Sequence, residues 1–393
     1  MPLVSDTLFA DVDFHQLRKR GESVCGDSFR TASLPGERRF VAVLSDGLGS
    51  GVKAHILSVM TSVMAAKFIA SGKDILASAE IIMSALPVCR SRKISYATFT
   101  VTDVTGDGRV RIMEMGNPPF ILLRGGTAAP VRTERLESPA WRNRSIETCE
   151  FDILPGDRLL ICSDGITQSG MGSGALRLGW RDEGLRRFAG EALDSAASSR
   201  TVARAVVARA LANEPMAAPR DDMTCASIYF RTPRRMLLLT GPPYHRERDA
   251  EMARVFGSFQ GVRVVCGGTT AGIIARELGK ELRVSLRSGT GKLPPLGKLD
   301  GAELVTEGII TLSETARRLD SGAAAPAPGD PADALVELLR GHDIIEFLVG
   351  SAVNAAHQDP SLPEDLEIRR NIVRRIAETL RRKLLKEVTV RCL

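Results

Sequence analysis

Leu44-Ser45-Asp46-Gly47-Leu48-Gly49-Ser50-Gly51 lies between the apolar run Phe40 to Leu44 and Val52 to Ser71, whose apolar residues recur at helical spacing. The run reads as a buried strand and the following segment as a long helix, with Ile56, Val59, Met60, Val63, Met64 and Phe68 as its apolar stripe. Asp46 therefore stands at a strand's end. The glycines at 47, 49 and 51 make a sharp turn whose backbone groups can approach a ligand closely. Ser50 could equally cap the helix, in which case the turn is only structural. The design recurs, because the apolar run Arg158 to Cys162 leads into Ser163-Asp164-Gly165.

Outward from these triplets, two further acidic points sit in turns. Gly21-Glu22-Ser23-Val24-Cys25-Gly26-Asp27-Ser28 is polar and glycine-flanked, and Arg220-Asp221-Asp222-Met223-Thr224 opens a strand, Cys225 to Phe230. Carboxylates gathered at one end of a sheet repel one another unless positive charge lies between them. A divalent cation meets that need. With oxygen donors and neither His nor Cys in the set, hard ions such as Mg²⁺ or Mn²⁺ suit it better than Zn²⁺. Two such ions about 3.5 to 4 Å apart are a standard means of activating water for displacement at phosphorus.

The 393 residues exceed one typical domain. A 44% hydrophobic and 25% charged composition is that of an ordinary soluble protein, and a net charge of +6 calls for neither nucleic acid nor membrane. Seven scattered cysteines without close metal spacing suggest a reducing cytoplasm. No secretory leader and no apolar run near the ~18 residues of a membrane span are expected.

Along the chain, Met1 to Arg20 reads as an edge strand and Ile75 to Leu86 as a second helix. Ala97 to Val104 with Val110 to Met115, and Ile146 to Ile153 with Arg158 to Cys162, read as hairpins. Helices are expected near Leu185 to Phe188 and Val202 to Leu211. Strand runs broken by helices make an α+β domain, residues 1–232. From Pro233 the texture becomes β-α-β, a smaller α/β C-terminal domain over 233–393. Ala334 to Leu339, Asp343 to Ala356 and Leu366 to Leu385 read as helices there, the last with a basic solvated face. Residues 321–331 are low-complexity and read as a flexible loop. Gly267, Gly268, Thr269 and Thr270, between a strand and a helix, offer backbone N–H groups and hydroxyls to a small anionic ligand, with a plain tight turn as the other reading.

The ordered set GESVCGDS, LSDGLGSGVKA, LLICSDG and RDDMT resembles the metal-dependent type 2C protein serine/threonine phosphatases, in their bacterial SpoIIE-like branch. The resemblance covers about residues 1–232. It implies an α-β-β-α sandwich holding two Mn²⁺ or Mg²⁺ ions between its sheets. It makes Asp46 the bridging carboxylate, Gly47 a carbonyl ligand, Asp164 and Asp221 further ligands, Asp27 the carboxylate on metal-bound water, and Asp222 an additional ligand. On the same resemblance Asp46 and Asp27 form the catalytic pair. Glu22 stands where many relatives have a phosphate-gripping arginine, and Ile166-Thr167-Gln168 where an acidic residue is frequent.

The implied activity is hydrolysis of phosphoserine or phosphothreonine on a bacterial regulatory protein, with the two helices after Asp46 as a candidate switch. A non-catalytic signalling module with a structural metal site is the alternative. No nucleic-acid or membrane partner is expected, and the reading leaves room for a homodimer.

Overall fold

The computed structural model describes residues 3–5, 8–34, 37–71, 77–78, 80–82, 97–137, 145–174, 176–284, 297–321, 329–351, 364–384 and 386–393. The chain divides into two compact units, Met1–Thr232 and Pro233–Leu393.

The strand that carries Asp46 spans Arg39–Gly47, and its apolar run Phe40 to Leu44 has a simple cause: both faces are covered. Phe40, Ala42 and Leu44 join Leu159, Ile161, Ile228 and Phe230 in a core between two sheets. Val41 and Val43 turn the other way, to Ala65, Ala66 and Ile69 of the helix Gly51–Ala70. One six-stranded sheet runs in the order Leu3–Ser5, Leu8–Leu17, Met223–Arg231, Arg158–Cys162, Ile121–Arg124, Thr127–Ala129. The other runs Ser28–Leu34, Arg39–Gly47, Ala97–Val104, Arg109–Met115, Ser145–Asp152, Glu134–Glu137. Helices Arg181–Glu191 and Ser199–Asn213 cover the first sheet's outer face. The layers are thus α-β-β-α.

Several sequence expectations need correction. Met1 to Arg20 does supply an edge strand, Leu3–Ser5, but its longer strand Leu8–Leu17 lies one place inward, between Leu3–Ser5 and Met223–Arg231. Ser145–Asp152 and Arg158–Cys162 do not pair as a hairpin but belong to opposite sheets. The turn between them is a crossover held by Asp157, which is 1% exposed. Its carboxylate accepts from Leu154 N–H at 2.8 Å and from Arg124 Nε and Nη2 at 3.0 and 2.6 Å. The helix Gly51–Ala70 does not bury the expected stripe. Its sheet face consists of Ala54, Ser58, Thr61, Ser62, Ala65, Ala66 and Ile69, while Val52, Ile56 and Met60 are 52–58% exposed. Small residues let the helix lie close to the sheet, and the Ser58, Thr61 and Ser62 hydroxyls bond back to His55, Leu57 and Val59 carbonyls. By length and composition this helix could cross a membrane, contrary to the expectation that no apolar run would be long enough. Its close fit to the sheet is that of a core helix. Most of the expected second helix, 75–86, lies outside the described residues.

The second unit has a seven-stranded sheet in the order Leu282–Val284, Gly297–Leu299, Leu304–Thr306, Val262–Cys266, Arg235–Thr240, Ile344–Val349, Glu387–Cys392. Its last five strands are parallel and helices cover both faces. Ile344–Val349 lies in the region expected as a helix. Apart from Glu346 its residues are apolar and buried, as suits a strand covered on both sides, and periodicity cannot separate that from a buried helix. Of the expected loop at 321–331, residues 322–328 lie outside the described residues. Pro331 already begins a helix, capped by Asp330, which accepts from Ala332 and Asp333 N–H.

Within the first unit Glu114 is 7% exposed, and its carboxyl accepts from Phe120 N–H at 3.1 Å and Thr100 Oγ1 at 3.3 Å. Asn117 joins the same group, donating to Thr100 Oγ1 and accepting from Thr98.

Two outcomes follow from these buried carboxyls. Asp157→Ala strips the crossover of its anchor, and urea denaturation should show a loss of about 2 to 3 kcal/mol, discounted because Arg124 is partly solvated. Burial pushes the Glu114 carboxyl up to about 8, so the folded chain holds a proton that the unfolded chain releases. Stability contributed here is whole below about pH 4.5 and is lost as pH rises toward 8, at up to about 1.4 kcal/mol per pH unit. Glu114→Gln should flatten that slope in denaturation measured across pH 5–8, and an unchanged slope would refute the assignment.

Candidate functional site

Backbone pairing places the acidic residues before any side chain does. Ser28 pairs with Ser45, so Asp27 and Asp46 lie at the same end of adjacent strands. In the other sheet Cys162 pairs with Cys225, and Ser163 N–H donates to Thr224 C=O at 3.0 Å. Asp164 and the Asp221-Asp222 pair therefore lie together at one end of that sheet.

One hydrogen bond joins the sheets at this end: Thr224 Oγ1 donates to Asp27 Oδ2 at 2.6 Å. Within the first sheet Lys19 N–H, just past Leu8–Leu17, donates to Asp222 Oδ1 at 2.9 Å. Asp27 and Asp222 are buried, at 1% and 4% exposure, while Asp46, Asp164 and Asp221 are half-buried above them. Two glycines permit the close approach. A Cβ on Gly47 would lie 2.0 Å from Ala54 O, and one on Gly165 would lie 2.0 Å from Asp222 O.

The electrostatics are those of crowded like charges. Burial first, then the negative charges of Asp27, Asp164 and Asp221, hold the Asp46 carboxyl well above the usual carboxylate range, and Asp164 is within hydrogen-bonding reach of it. Burial likewise raises Asp27, opposed by the hydrogen bond from Thr224 and the nearby Ser163 hydroxyl and reinforced by Asp222 and Asp164. Asp221 is also raised by burial, partly offset by its neighbour's N–H and by Lys19, whose Nζ lies 3.8 Å away.

Asp27 Oδ1 is buried and has no hydrogen-bond partner, an arrangement that costs about 1 to 3 kcal/mol. Among the described residues no three His, Cys, Asp or Glu side chains are close enough to enclose an ion as they stand. The set nevertheless fits hard divalent cations in kind: oxygen donors, an orphaned carboxylate oxygen, and charges that only a cation relieves. Asp46, Asp164 and Asp221, with the carbonyl of Gly47, are the groups that would hold them.

Four contributors were not apparent from the motifs. Thr224 fixes Asp27. Gln168 Nε2 donates to Asp164 Oδ2 at 2.8 Å, and its place four residues on in a helical turn was the available signal. Lys19 brings the nearest cationic side chain to Asp221. Ser50 is not a side-chain cap: its hydroxyl donates to Glu22 Oε1 at 2.8 Å, tying the Asp27 loop to the Asp46 loop. Gly267 is the N-cap of the helix Gly268–Leu278, in the second unit.

The family model described as "Stage II sporulation protein E (SpoIIE)" matches residues 36–231, a span that holds Asp46, Asp164, Asp221 and Asp222 and begins after Asp27. The chain is 30% identical over 149 residues to stage II sporulation protein E of Bacillus subtilis (strain 168), covering 38% of this chain and 18% of that protein. Among solved structures it is similar to the PP2C phosphatase domain with a fragment of the regulatory domain of SpoIIE from B. subtilis, with TM-score 0.49 and 21% identity over 57% of this chain and 63% of that one. The RsbU and RsbW domains of Rv1364c from Mycobacterium tuberculosis give TM-score 0.48 and 18% identity over 70% of this chain and 72% of that one. Residues 36–231, which carry the acidic strand ends of both sheets, match the SpoIIE family.

Proposed function

We propose that the unit Met1–Thr232 is a metal-dependent phosphatase that removes phosphate from serine or threonine of a bacterial regulatory protein. The observation that carries this reading is the unpartnered, buried Oδ1 of Asp27 beside carboxylates delivered by both sheets. A purely structural site would satisfy that oxygen with a neighbour, as it does Oδ2 with Thr224. The match of residues 36–231 to the SpoIIE family supports the same chemistry.

Hard divalent cations, Mn²⁺ or Mg²⁺ and two in number on this reading, supply an acidified water and neutralise charge on phosphate oxygens when bound. The chain's own groups prepare the place. Asp46 with the Gly47 carbonyl from one sheet, and Asp164 and Asp221 from the other, would hold the ions. Thr224 holds Asp27 Oδ2, which leaves Oδ1 as the oxygen that would accept a proton from water and orient it. Gln168 restrains Asp164. Glu22, engaged with Ser50, leaves Lys19 as the cationic side chain beside Asp221 able to meet a substrate phosphate.

Turnover of a phosphopeptide and of p-nitrophenyl phosphate should require Mn²⁺ or Mg²⁺, stop with chelator, and fall about 100-fold or more in Asp46→Asn. Chelator-insensitive turnover, or equal rates in that variant, would falsify the mechanism. Phosphopeptide binding without any turnover would favour the alternative, a non-catalytic signalling module. Thr224→Val releases Asp27 without removing it, and steady-state kinetics should show kcat reduced about tenfold with KM little changed.

A further inference from the structure

The second unit's sheet starts in its middle. Arg235–Thr240 comes first, the chain winds outward through Val262–Cys266 and Leu304–Thr306, and it then returns to the other side for Ile344–Val349 and Glu387–Cys392. In open sheets wound this way, ligands lie beyond the carboxyl ends of the strands. Thr240, Cys266 and Thr306 end three neighbouring strands in register. Immediately beyond Cys266 the helix Gly268–Leu278 begins, with no side-chain cap and no acidic residue in its first turn.

Gly267 holds φ at 131°, a conformation costly for any residue with a Cβ, and its N–H donates to Thr306 C=O at 2.8 Å. The N–H groups of Gly268, Thr269 and Thr270 come next, in a first turn that has no intrahelical acceptors. Thr270 is 1% exposed, and its Oγ1 has no hydrogen-bond partner. That hydroxyl opens toward Gly267, where a Cβ would lie 3.3 Å away and close the approach. Thr240, 0% exposed on the adjacent strand, carries a second hydroxyl without a partner. Positive charge stands at the same edge, because Arg369 Nη1 lies 2.7 Å from where a Cβ on Gly241 would be. The loop after Gly241 also carries Tyr244, 68% exposed, with the His245 ring edge-on at 4.8 Å.

We propose that this edge binds the phosphate group of a small phosphorylated molecule, held by the first-turn amides of Gly268–Leu278 and the Thr270 hydroxyl, with Arg369 as counter-charge. Oriented amides, an unspent hydroxyl and a guanidinium suit a tetrahedral oxyanion with several acceptor oxygens. The exposed aromatic pair offers a face to a base, so nucleoside phosphates and free phosphate share this chemistry and differ in what the rings add.

The test is calorimetric titration of the full chain carrying Asp46→Asn, in chelator, so that the acidic site of the first unit contributes no phosphate binding. Inorganic phosphate, AMP, ADP and ATP are titrated, with succinate as a non-phosphate anion. We expect at least one phosphate-bearing molecule to bind, more tightly than inorganic phosphate if the rings contribute. That binding should weaken tenfold or more in Thr270→Val and severalfold in Arg369→Gln, and should be retained in Thr270→Ser. Val matches Thr in shape, and thermal melting of each variant separates lost binding from lost fold. Absence of binding by every phosphate-bearing molecule, unchanged affinity in folded Thr270→Val, or binding of succinate alone overturns the proposal. Failure here leaves the phosphatase reading untouched, because the two are measured on different units.

Discussion

Strand register forces like charges together in this protein. Ser28 is held opposite Ser45 and Cys162 opposite Cys225, so each sheet must end in a pair of acidic residues on the same side. A ladder of backbone hydrogen bonds outlasts the repulsion because it is cooperative along the strand, whereas the repulsion acts only at its end. The dry core of Phe40, Leu44, Leu159, Ile161 and Phe230 then clamps one sheet against the other. Burial of that apolar surface, worth roughly 25 cal/mol per Å², offsets the cost of desolvating Asp27 and Asp222. The raised affinity of Asp27 and Asp46 for protons is the electrostatic record of that compromise.

The helix after Asp46 shares this constraint. Its small residues let its backbone come so near that Ala54 O occupies the space a Cβ on Gly47 would need. The turn that presents the Gly47 carbonyl and the helix axis therefore cannot be set independently. The large apolar residues usually placed inward instead stand on the other side, at Val52, Ile56 and Met60. Close packing beside the site was obtained at the expense of a conventional amphipathic face.

The second unit solves a different problem with the same economy of strand ends. Parallel strands need crossovers, and crossovers leave helix N-termini and carboxyl-end loops along one edge. At that edge the buried hydroxyls of Thr240 and Thr270 stand without partners, in an interior where most polar atoms are satisfied.

The sequence alone determined the α+β character of residues 1–232 and the four acidic turns, because an apolar run ending in Ser-Asp-Gly has few foldings and all its signals are local. The β-α-β texture beyond Pro233 was legible for the same reason. Tertiary structure decided which strands pair: Ser145–Asp152 and Arg158–Cys162, joined by a turn that reads as a hairpin, part into opposite sheets around buried Asp157. It also decided which face of Gly51–Ala70 is buried and that Ile344–Val349 is a strand, since burial on both sides erases periodicity. The bond from Thr224 to Asp27 joins residues 197 apart in the chain. No local pattern encodes such a contact; it exists only once two sheets are stacked.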